Sequence, residues 1–330
     1  MLDRRSAILG TLASGLAGSA LAQTAPPRRA GAAVAGLPEP EETIDLWPHG
    51  APGAPARALV ETVEERSTDP VLADRAMTGI SRPRLVVFRP RIANGSAVLV
   101  APGGGYARVV IDKEGYELGR WLAARGFTVF VLFYRLPGEG WAAGPDVALA
   151  DAQRAMRVIR SRARDYGVYP ERVAAMGFSA GGHVCGDLAT RFDARVYSPV
   201  DAADRLAARP DVAALIYAVQ AMTPELAHPG SRDLLIGRAA SETLALAHST
   251  AHAVTARTPP CFLAHAEDDT TVKVENTLEF RAACKVARIA VETHLFTAGG
   301  HGFGLRRAMG KPAEAWPELF LAWARTQGLG

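Results

Sequence analysis

Four groups of residues in this chain have the types and spacing for nucleophilic catalysis. The first is Gly177-Phe178-Ser179-Ala180-Gly181-Gly182-His183, between an apolar run and a helical pattern. In that setting the glycines of G-x-S-x-G allow a sharp turn, which lifts the Ser179 hydroxyl to a helix N-terminus, where developing negative charge is favoured. The second is Pro102-Gly103-Gly104-Gly105-Tyr106, which follows another apolar run. Its consecutive glycines expose backbone N–H groups, here read as oxyanion donors from Gly104 and Gly105, joined by Ala180. It lacks the Lys-Ser/Thr of a phosphate-binding loop. The third is Glu267-Asp268-Asp269, where either aspartate could be the acid. The fourth is His301, set between Gly300 and Gly302, a poor context for a core histidine and a good one for a general base. The chain order is nucleophile, acid, base.

These groups need a rigid frame. Apolar runs at Arg84–Phe88, Ala97–Ala101, Thr128–Tyr134, Val173–Phe178, Val212–Val219, Cys261–His265 and Val291–Phe296 show little alternation, as strands covered on both faces do. Helical periodicity falls between them at Glu114–Arg125, Asp146–Ala163, Val274–Val286 and Ala313–Arg325. This alternation predicts an α/β fold with a mostly parallel central sheet flanked by helices on both faces. In such sheets, sites form beyond the carboxyl ends of strands, which is where the four groups fall.

Composition sets the outer bounds. The 330 residues are 48% hydrophobic and 22% charged, ordinary for a globular protein. The 37 Lys and Arg against 34 Asp and Glu leave a net charge of +3, with no dense basic run to suggest a nucleic-acid partner. Cys185, Cys261 and Cys284 are scattered and read as core thiols, with a Cys261–Cys284 disulfide as the alternative. His228, His248 and His252 show no metal-ligand spacing with a carboxylate, so no metal is expected. His183 reads as a packing or hydrogen-bonding residue and His265 as a strand cap.

Arg4 and Arg5 precede an apolar stretch ending in Ala20-Leu21-Ala22, the layout of a signal peptide over residues 1–22. The arginine pair is similar to a twin-arginine signal. Residues 23–40 are rich in Pro, Ala and Gly and read as a leader, with the folded domain over 41–330. The expected location is the periplasm or cell exterior, with no stable membrane span after processing.

Together these motifs resemble the α/β-hydrolase superfamily of esterases and lipases, and within it exported acetyl-xylan-esterase-like and BD-FAE-like carbohydrate esterases. Further matching stretches are Asp45–Gly53, Tyr134–Pro137, Asp151–Ala155 and Gly299–Gly304. The glycine loop resembles the HGGG loop of esterases, with Pro102 in place of the usual histidine. Counting from His265, the segment resembles H-G-x-x-D-x-x-V, which implies Asp269 as the acid and leaves Asp268 as the alternative. The resemblance implies a fold-supporting role for Asp151 and a serine hydrolase without metal or organic cofactor. The expected substrate is a short acyl ester, acetyl above all, on a plant saccharide. Tyr106 and Trp141 are candidate substrate contacts, and segments Ser198–Arg209 and Gln220–Thr258 are candidates for a small cap. The alternatives are a feruloyl esterase, a peptidase of the prolyl-peptidase type and a non-catalytic carbohydrate-binding protein.

Overall fold

The computed structural model describes residues 39–330, so the signal read at 1–22 and most of the leader lie outside the described residues. Glu39 and Pro40, read as the end of that leader, belong to the fold. Pro40 opens the first strand, and the Glu39 carboxylate takes two hydrogen bonds from Arg120, at 2.9 and 2.8 Å.

The strands in chain order are β1 (Pro40–Asp45), β2 (Thr62–Glu65), β3 (Arg75–Thr78), β4 (Arg84–Phe88), β5 (Ala97–Ala101), β6 (Val109–Val110), β7 (Thr128–Phe133), β8 (Val173–Phe178), β9 (Val212–Ile216), β10 (Cys261–Ala266) and β11 (Val291–Phe296). The helices are α1 (Glu117–Ala123), α2 (Val147–Ser161), α3 (Ala180–Thr190), α4 (Pro229–Ile236), α5 (Glu242–Ala247), α6 (Glu275–Val286) and α7 (Trp316–Thr326). Eight strands form one sheet in the order β1-β4-β7-β5-β8-β9-β10-β11, and β2, β3 and β6 form a second, small sheet.

From β7 to β11 every pairing in the large sheet is parallel. The β1–β4 and β4–β7 pairs are antiparallel. Every residue of β5, β7, β8, β9 and β10 is buried, which is why their sequences run apolar without alternation. Each large aliphatic side chain so buried contributes about 1.5–3 kcal/mol. The strands β1, β2, β3 and β6 escaped the sequence reading. They are short or pair at edges, and β2 is wholly exposed, so no continuous apolar run marks them.

Two helix boundaries differ from expectation. The stretch read as Glu114–Arg125 begins as a widened turn in which the Tyr116 N–H bonds back to the Ile111 carbonyl at 2.8 Å, and becomes α-helical only at Glu117. The stretch read from Ala313 starts as a tight 3₁₀ turn, with α7 from Trp316. No helix among the described residues is long and apolar enough to cross a membrane. Cys185, Cys261 and Cys284 are buried free thiols, not a Cys261–Cys284 disulfide.

Candidate active site

Ser179 follows β8 directly and adopts φ 52°, ψ −119°, a conformation that β-carbon-bearing residues rarely occupy. The turn is possible because its neighbours are bare. A Cβ on Gly181 would collide with the Ala101 and Pro102 carbonyls. Ser179 thus caps α3, with the helix dipole directed at its hydroxyl.

The Ser179 Oγ lies 2.9 Å from His301 Nε2. His301 Nδ1 lies 2.7 Å from Asp269 Oδ2. Asp269 Oδ1 accepts the Thr271 and Val272 N–H groups, both at 2.9 Å, and His265 Nε2 sits 3.2 Å from Oδ2. Burial works to raise the Asp269 pKa, but the hydrogen bonds from His265 and His301 outweigh it and hold the carboxyl well below the usual range. Asp268 has another task. Its Oδ1 accepts the N–H groups of Gly299 and Gly300 at 2.9 and 2.7 Å, which fixes the loop that carries His301.

The glycine loop after β5 faces Ser179. Gly104 has φ 137°, and a Cβ there would strike the Arg108 carbonyl. Among the described residues no protein group accepts the Gly104 or Gly105 N–H, whereas the Gly103 N–H is bound to Glu114 at 2.9 Å. Gly104, Gly105, Ser179 and His301 line a cleft of about 410 Å³, together with His228 and Leu234. Burial, then the nearby His301, lowers the His228 pKa.

Two candidate substrate contacts are placed elsewhere. Tyr106 is buried, and its hydroxyl lies 2.7 Å from His183 Nδ1, so the ring ties the glycine loop to α3 and does not line the cleft. Trp141 is also buried, beneath the Arg135 guanidinium at 4.8 Å, and does not line the cleft beside Ser179. Of the two candidate cap segments, Gln220–Thr258 reaches the cleft through His228 and α4. The Ser198–Arg209 segment instead packs on α2, held by Arg154 to Asp201 (2.5 Å) and to Asp204 (3.2 Å).

His183 Nε2 donates to the His248 carbonyl at 2.7 Å, Nδ1 accepts the Tyr106 hydroxyl, and burial lowers its pKa to about 4. The fold also assembles one cluster that sequence spacing did not suggest: Asp146, Asp187 and His248, with ligating atoms within 4.8 Å of one another. Arg191 already bridges its two carboxylates, at 2.8 Å from Asp146 and 3.1 Å from Asp187.

The sequence reading missed Glu114, Tyr217 and the support that His265 gives to Asp269. A charged Lys113-Glu114 pair amid the apolar stretch around Val110 and Leu118 was the available signal for Glu114. Nothing local marked Tyr217.

A mostly parallel sheet, a serine on a strained strand–helix turn and a histidine and aspartate on later strand ends define an α/β-hydrolase fold. The BD-FAE family model matches residues 87–284, and the chain belongs to that family. Among solved structures it is similar to an acetyl ester-xyloside bifunctional hydrolase from Caldicellulosiruptor lactoaceticus, at 31% identity and a TM-score of 0.73, over 89% of this chain and 100% of that one. It is 30% identical to an acetylxylan esterase of Xylanibacter ruminicola over 227 residues, 68% of this chain and 44% of the relative. It is 35% identical to endo-1,4-beta-xylanase B of Butyrivibrio fibrisolvens over 205 residues, 62% of this chain and 32% of the relative. The chain thus spans less than half the length of these two curated relatives.

Proposed function

We propose that this protein is an exported serine esterase that removes short acyl groups, acetyl above all, from xylan-type saccharides. The observation that carries the reading is the unbroken chain Ser179 Oγ–His301 Nε2–His301 Nδ1–Asp269 Oδ2, at 2.9 and 2.7 Å, beside the uncommitted N–H groups of Gly104 and Gly105. The acetylxylan esterase and the acetyl ester-xyloside hydrolase among its relatives support the substrate class. The signal read at residues 1–22 supports export, to the periplasm or beyond.

In this reading the Ser179 oxygen attacks the ester carbonyl carbon while His301 Nε2 takes the hydroxyl proton. Asp269, fixed by four donors, keeps His301 in the tautomer that presents a bare Nε2 and stabilises the imidazolium that forms. The negative carbonyl oxygen is held by Gly104, Gly105 and Ala180 N–H groups and by the α3 dipole. Collapse breaks the bond to the alcohol oxygen, which leaves with the proton from His301. Water then attacks the acyl-serine by the same route, releasing the carboxylic acid and restoring Ser179.

The test is hydrolysis of p-nitrophenyl acetate, butyrate and octanoate, then acetylated xylan. Rates that fall with chain length and vanish in Ser179→Ala are expected. Equal rates in wild type and variant would overturn the assignment.

A further inference from the structure

Glu114 is a carboxylate with a place in three separate loops. It sits on the widened turn before α1, a backbone form that recurs at functional sites, and its side chain is 4% exposed. Oε2 accepts the Gly103 N–H at 2.9 Å. Oε1 accepts the Tyr217 hydroxyl at 3.0 Å. The Tyr217 oxygen in turn accepts the Gly304 N–H at 3.1 Å, three residues past His301. The Tyr217 ring stands edge-on to the His301 ring, with centroids 5.2 Å apart. Tyr217 holds φ 36° just past β9, a strained conformation that the surrounding bonds must maintain. Lys113 Nζ lies 3.5 Å from Oε1 and offsets the buried charge.

Each bond leads to a different part of the site. Gly103 immediately precedes the two residues whose N–H groups are uncommitted. By taking the Gly103 N–H, Glu114 sets the direction in which the next two amides point. Through Tyr217 and Gly304 it also sets the far end of the His301 loop. These segments lie on three strand ends, no two of them closer than 87 residues along the chain, so a single rigid acceptor between them fixes their mutual register.

We propose that Glu114 is a positioning residue for ester hydrolysis, its buried carboxylate locking the oxyanion loop and the histidine loop into one register. The inference rests on the esterase reading above. Glutamine at 114 keeps the size but offers one acceptor oxygen where two are needed, so one of Gly103 N–H and Tyr217 O–H is lost.

The experiment compares wild type, Ser179→Ala, Glu114→Gln and Tyr217→Phe on p-nitrophenyl acetate, with rates per site titrated by a fluorophosphonate and with melting curves. In Glu114→Gln, kcat is expected to fall by about tenfold to a hundredfold while KM moves by less than about threefold, because only the transition-state geometry is disturbed. Glu114→Asp recovers part of the loss. Wild-type kcat per titrated site in Glu114→Gln, with only a lower melting temperature, overturns the positioning role and leaves the esterase standing. Wild-type protein without Ser179-dependent hydrolysis overturns the esterase reading, and this inference with it. Should Glu114→Gln fail to fold, Tyr217→Phe decides by the same split, since it keeps the ring and removes only the bridging hydroxyl.

Discussion

Asp151 and Asp269 are both buried carboxylates that accept hydrogen bonds on both oxygens, yet they do opposite work. Asp151 lies on α2 and receives the Trp47 indole N–H at 2.7 Å, the Arg135 backbone N–H at 2.8 Å and the Arg135 guanidinium at 2.8 to 3.1 Å. Its cationic partner never loses its proton, so this knot is electrostatically closed. Asp269 receives two backbone N–H groups and two imidazoles. One of those imidazoles ends 2.9 Å from a serine hydroxyl. Its network therefore has an open end through which a proton can move. A buried acid bound to arginine holds a fold together, while one bound to a histidine that reaches a nucleophile is equipped for chemistry.

The contrast can be broken by substitution. At the open end, Ser179→Ala is expected to lower kcat by about 10⁴-fold or more while the melting curve stays near wild type, read by steady-state kinetics and calorimetry. Asp269→Asn keeps the shape but presents the wrong histidine tautomer, with a loss of about 10⁴-fold expected. A small loss there would show that His265 and the loop backbone orient His301 unaided. At the closed end, Asp151→Asn leaves the Arg135 charge buried without its partner. A cost of about 3–5 kcal/mol in urea unfolding is expected, with kcat per folded molecule retained. A drop in kcat at unchanged stability would erase the distinction.

A third acid, partly exposed, gives the smallest effect. Burial raises the Glu117 pKa from 4.5 to about 7, against the opposing pull of Arg306. A raised folded-state pKa means stability that is full below the ordinary value near 4.5 and lost as pH rises through about 7. Glu117→Gln is expected to flatten the decline in melting temperature between those limits. An unchanged slope would show that Arg306 (3.0 Å) already neutralises the carboxylate.

Much of the site was legible because its signals are local. Gly177 and Gly181 permit the turn that Ser179 makes, since a Cβ at either would strike neighbouring backbone carbonyls. Gly300 and Gly302, at φ 69° and 68°, mark the loop that carries His301 for a different reason, a backbone conformation that favours glycine. The choice between Asp268 and Asp269 was not local. Both follow β10, and only the packing of the β11 loop sends one to His301 Nδ1 and the other to the Gly299 and Gly300 amides. Tyr106 and Trp141 were misplaced because an aromatic next to a loop looks the same whether it turns outward or inward. Inward won because His183 and Arg135 wait there.

By itself the sequence determined the sheet's buried strands and the turn at Ser179. Strand burial and glycine turns are written in adjacent residues, whose steric limits act within a few bonds. The tertiary structure alone decided that Glu114 meets Tyr217 across 103 residues and that Trp47 meets Asp151 across 104. It likewise decided that β4 runs against both of its neighbours, β1 and β7. Such pairings follow from how strands stack in space, and a short window of sequence carries no record of what will lie opposite it once the sheet has closed.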